Sequence, residues 1–106
     1  MTLLRVFSLA LTACFISTAF PAEKFKTKNG PLVITPVNHA TLVIEWGGKT
    51  IYVDPVGQAA WYKNFPKPDL VLLTHIHGDH FKAAILNAVA GPKTQLVAPP
   101  ALAGVM

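Results

Sequence analysis

At 106 residues the chain has room for one domain at most, with a small core. A composition of 52% hydrophobic and 13% charged residues lacks the polar bias of a disordered chain. The formal charge of +4 comes from lysines scattered along the sequence without a basic stripe, which argues against a nucleic-acid binder.

Residues 1–19 read as a secretory signal: Arg5, an apolar run from Val6 to Ile16, then the small residues Ser17, Thr18 and Ala19. The run is shorter than the roughly 20 apolar residues of a membrane span, and Ser8 and Thr12 interrupt it. Cleavage after Ala19 places small residues at both required positions and predicts an exported chain, periplasmic or secreted. Leu11-Thr12-Ala13-Cys14 also resembles a lipobox, so lipidation at Cys14 is the one route to a membrane. Cys14 is the only cysteine; without it the chain has no disulfide and no thiolate zinc site.

Residues 20–31 form a Lys-rich N-terminal lead-in, and a single domain is expected over 32–106. Leu32–Val37 and Thr41–Trp46 alternate with β-branched residues and read as strands, and Thr50–Val53 follows after Gly47-Gly48. Two glycines between β-rich runs predict a hairpin, and the three strands predict an antiparallel meander. Gly57–Trp61 reads as a helical turn, and the prolines at 66 and 68 as a loop. Asp69–Leu73 is a continuous apolar run, expected as a strand buried on both faces. Phe81–Ala90 has helical spacing and stops at Gly91-Pro92; Gln95–Ala98 reads as a last strand, and Ala101–Met106 as the start of a helix. The order predicts a layered α/β architecture.

Between the buried strand and the helix stands LLTHIHGDHF, residues 72–81, which holds three of the four histidines and one of the five acidic residues. His75 and His77, two apart on an extended segment, project to one side. Gly78 is expected to let the chain turn tightly and bring Asp79 and His80 round as a second pair. Imidazole and carboxylate donors together suit zinc, iron or manganese.

The stretch His75-Ile76-His77-Gly78-Asp79-His80, after Thr74, resembles the HxHxDH motif of the metallo-β-lactamase-fold superfamily. Asn38–Pro55 is similar to that family's opening hairpin, and His39-Ala40-Thr41 within it to the lactonase-like branch. The resemblance implies an αβ/βα sandwich, of which this chain holds the N-terminal half. It also implies two divalent ions, zinc first and manganese or iron as alternatives. His75 and His77 would bind one ion, and Asp79 and His80 the other. Asp54 would fix ligand orientation from behind, and His39 would either face the pocket or serve a structural role. The implied chemistry is hydrolysis of an ester, lactone or phosphoester-type small molecule by a metal-bound water, with Asp79 as a candidate proton acceptor. The family's further ligands come later in its chains, whereas Phe81–Met106 contains no His, Asp, Glu or Cys. The expectation is therefore an incomplete site, completed by a C-terminal half or by self-association. A catalytically inactive chain that binds metal weakly, or a lipid-anchored interaction module, is the alternative.

Overall fold

The computed structural model describes residues 20–105; the signal and lipobox readings fall outside these residues. Six strands form one mixed sheet in sequence order: β1 (Glu23–Thr27), β2 (Gly30–Asn38), β3 (Thr41–Trp46), β4 (Lys49–Val53), β5 (Leu70–Leu72) and β6 (Gln95–Val97). The first four are antiparallel, and β5 and β6 continue in parallel. Parallel neighbours need a crossover. The first crossover carries a 3-10 turn at Ala59–Tyr62, the second the helix α1 (Ala83–Val89).

The β3–β4 hairpin turns on Gly47 and Gly48, with φ of 57° and 74°, the positive values that a two-residue primed turn demands. Gly57 is fixed differently. Its φ is 87°, and a Cβ there would stand 2.1 Å from the Trp61 ring, so the 3-10 turn packs on bare backbone.

Several boundaries differ from the sequence reading, each for a local reason. The Lys-rich lead-in contains a strand, β1, whose five residues are all exposed and which joins the sheet by backbone pairing to β2. A hydrogen bond of 2.9 Å from Trp46 Nε1 to Thr27 Oγ1 ties its end down. The helix begins at Ala83 rather than Phe81, because the Phe81 N–H donates to the His77 carbonyl and Lys82 is extended. In β5 only Val71 is buried, while Leu70 and Leu72 are half-exposed.

That last difference follows from how the layers are arranged. Val43, Tyr52 and Val71 share one face and pack with Tyr62, Leu86, Val89 and Leu102, so the buried residues of all described helical segments lie in one cluster. On the other face, cross-strand partners align Ile34, Ile44, Ile51 and Leu70 in one row and Leu42, Val53, Leu72 and Val97 in a second. None of these eight is buried.

The core closes around Tyr52. Its hydroxyl donates to the Pro66 carbonyl at 2.8 Å, and its ring lies 5.4 Å from that of Tyr62, whose own hydroxyl donates to the Val56 carbonyl at 2.6 Å. Burial, with Tyr62 and Glu45 adding to it, pushes the Tyr52 phenol up to about 12, and burial raises Tyr62 also. Both groups favour the protonated form when folded, so their contribution is complete below the ordinary tyrosine value and is lost as pH rises through the folded values. Alkaline titration followed by phenolate absorbance is therefore expected to show Tyr52 ionising together with unfolding as pH climbs from 10 towards about 12. Ionisation near pH 10 with unchanged circular dichroism would contradict this packing.

Candidate metal centre

The histidine loop leaves the C-terminal end of β5, and a single buried residue holds it. Asp54 follows β4 directly; its N–H donates to the Leu72 carbonyl at 2.9 Å, which extends the parallel ladder by one bond. The backbone then swings into the left-handed region at φ 45°, which turns the carboxylate under the loop. There it accepts the Thr74 N–H at 2.7 Å, the Thr74 hydroxyl, and His80 Nδ1 at 2.9 Å. Thr41, at the start of β3, donates its hydroxyl to the Asp54 carbonyl at 2.6 Å. Asp54 is 1% exposed, and its hydrogen bonds link the ends of three adjacent strands.

With Nδ1 of His80 committed to Asp54, its Nε2 carries the free lone pair and faces outward. A carboxylate behind a ligating histidine fixes both tautomer and ring orientation. The loop curls because the His80 and Phe81 N–H groups both donate to the His77 carbonyl at 2.9 Å. Gly78 takes no part by special backbone: its φ lies outside the left-handed region, and a Cβ there would meet nothing within 4 Å. The tight turn expected of that glycine is made by the two hydrogen bonds.

The four imidazoles stand in file. Ring centroids are 4.3 Å apart for His77 and His75, 5.1 Å for His75 and His80, and 5.6 Å for His80 and His39. His39 reaches the file from the β2–β3 turn; with Asp54 it is one of two non-glycine residues with positive φ among the described residues, at 47°. Its Nε2 lies 2.9 Å from Asp79 Oδ2, and His80 Nε2 is 3.7 Å from the same oxygen. Desolvation tends to raise the Asp79 pKa. Its own backbone N–H and the neighbouring His80 and His39 outweigh that and hold the group below the usual carboxylate value, so it is ionised at neutral pH.

The sequence placed His75, His77, Asp79 and His80 in one loop, and the structure brings them together with His39 above and Asp54 below. It did not single out Thr74 and Thr41 as donors to Asp54. The one signal for them is that a buried carboxylate after a strand needs donors nearby. The donor set of imidazoles and one carboxylate, exposed apart from the half-buried His80, fits a divalent ion such as zinc. By contrast, a cavity of about 680 Å³ lined by Phe20, Trp61, Phe65 and Glu45 contains none of these residues.

A mixed sheet with helices on one face and a strand-end histidine loop braced by a buried aspartate defines a metallo-β-lactamase-fold protein, N-terminal half. The family model for the beta-lactamase superfamily domain matches residues 33–103, and the chain belongs to that family. It is 52% identical over 52 residues to a UPF0173 metal-dependent hydrolase of Flavobacterium johnsoniae, covering 44% of this chain and 23% of that protein. A second relative so described, from Nitratidesulfovibrio vulgaris, is 35% identical over 79 residues, 60% of this chain and 33% of its own. A crystal structure of a protein assigned as a metal-dependent hydrolase from Parabacteroides distasonis superposes with a TM-score of 0.70 at 37% identity, covering 78% of this chain and 38% of the other. The matches thus span only about a quarter to two fifths of these relatives' lengths.

Proposed function

We propose that the chain supplies the metal-loop half of a metal-dependent hydrolase acting on a small ester, lactone or phosphoester. The observation that carries this reading is the file of four histidines beside an ionised Asp79, with the His80 tautomer fixed from below by Asp54. His75 and His77 would hold one divalent ion and Asp79 and His80 a second, zinc being favoured. Such ions supply an activated water and positive charge for a developing oxyanion. The chain's own residues orient the donors: Asp54 sets the ring of His80, Thr74 fixes the start of the loop, and Asp79 offers an ionised oxygen that can accept a proton. The apolar rows on the uncovered sheet face form the surface on which a second βα half, or another copy, would seat. Export through residues 1–19 belongs to the same reading.

Elemental analysis of the purified chain after dialysis and size exclusion tests it, together with turnover of nitrophenyl acetate, a chromogenic lactone and bis-nitrophenyl phosphate. About two ions per chain and zinc-dependent turnover of one substrate class are expected once the second half is present. No retained metal in either form would overturn the reading.

A further inference from the structure

We propose that His39, Asp79 and His80 form a complete three-ligand site for a single divalent ion, built within this chain and distinct from the two-by-two pairing that the family motif implies. The proposal rests on the metal-dependent reading above and names a different first-occupied site.

Among the described residues, these three form the one group of His and acidic side chains whose ligand atoms all lie within 4.8 Å of one another. Two donors on one zinc ion, at bond lengths near 2.0–2.1 Å, stand about 3.3 Å apart. The separations from Asp79 Oδ2, 2.9 Å to His39 Nε2 and 3.7 Å to His80 Nε2, bracket that value. Two imidazoles and a carboxylate make the three protein ligands usual at a catalytic ion, with outer positions left for water. The pair His75 and His77 has no third described donor within the same reach.

The backbone sets where His39 stands. Among the described residues, only His39 and Asp54 have positive φ without being glycine, at 47° and 45°. A left-handed histidine costs about 1 kcal/mol that glycine would avoid and asparagine would lessen. Asp54 uses this conformation to grip His80 from the buried side. His39 is the first of the two residues that turn between the paired Asn38 and Thr41, a position where a tight hairpin takes positive φ, and the turn sets its ring against Asp79 from the open side.

The test compares the full chain with His39→Asn and His77→Ala. Zinc affinity is read by competition with a chromophoric chelator, and the ligand field by visible absorption of bound cobalt(II). Asparagine suits the left-handed turn, so His39→Asn is expected to melt no lower than the parent. Affinity for the first equivalent should fall about 10–100-fold or more in His39→Asn, with altered cobalt absorption. It should fall much less in His77→Ala. A loss in His39→Asn equal to or smaller than that in His77→Ala overturns the three-ligand site and leaves the metal-dependent reading standing. A parent chain that binds neither zinc nor cobalt overturns the three-ligand site as well, and the metal-dependent reading then rests on the two-half assembly alone.

Discussion

Asp54→Asn is expected to lower metal affinity about 10–100-fold while leaving most of the fold intact. The carboxylate accepts from Thr74 twice and from His80 Nδ1. A carboxamide keeps the volume and tolerates the left-handed turn, but its NH₂ can face His80 as a donor. His80 then accepts at Nδ1 and carries its proton on Nε2, the atom a metal needs. Asp54→Ala goes further and removes the acceptor of the Thr74 N–H, the Thr74 hydroxyl and His80 Nδ1 at once. Three lost hydrogen bonds at about 1 kcal/mol each make a loss of roughly 3 kcal/mol, a melting temperature lower by more than about 10 °C for a domain of this size. Zinc competition and thermal melts on both variants separate the two effects. Equal zinc affinity in Asp54→Asn and parent would show that the brace does not set the tautomer.

Tyr52→Ala is expected to unfold the chain. Tyr52 is 1% exposed, sits on the central strand pair opposite Val43 and Val71, and packs against Tyr62 and Phe65. Truncating a large buried aromatic costs about 3–5 kcal/mol, a large share of what a domain this small possesses. Tyr52→Phe, which loses only the bond to the Pro66 carbonyl, should cost about 1 kcal/mol. Urea unfolding followed by circular dichroism measures both. A folded Tyr52→Ala chain would mean that the helical layer contributes little to holding the sheet.

The histidine loop was legible because its residues are close in sequence. Four groups able to donate to a metal within six residues, after an apolar strand and before a helical pattern, stand out by spacing alone. The braces were harder to read, since His39 meets Asp79 and Asp54 meets His80 only once β3, β4 and β5 lie side by side. The implied placing of Asp54 behind the ligands came from resemblance, and its three hydrogen bonds came from the fold. Strand β1 escaped notice because EKFKT carries one apolar residue and no buried face; backbone pairing alone holds it. Gly78 misled for the opposite reason. Glycine permits a left-handed turn without requiring one, and the loop found two hydrogen bonds to the His77 carbonyl instead.

The grip on the histidine loop has a consequence for the order in which the protein forms. Every side chain that holds or completes the loop lies between His39 and His80, and the strands that bring them together are sequence neighbours in the sheet. These contacts join residues 20 and 26 apart in sequence, and loop entropy grows only slowly with such lengths. During synthesis, the stretch ending just past Phe81 already contains all that these contacts need, before β6 has been made. On the proposed metal-dependent reading, an ion bound at this stage would bias the nascent chain towards the paired arrangement of β3, β4 and β5.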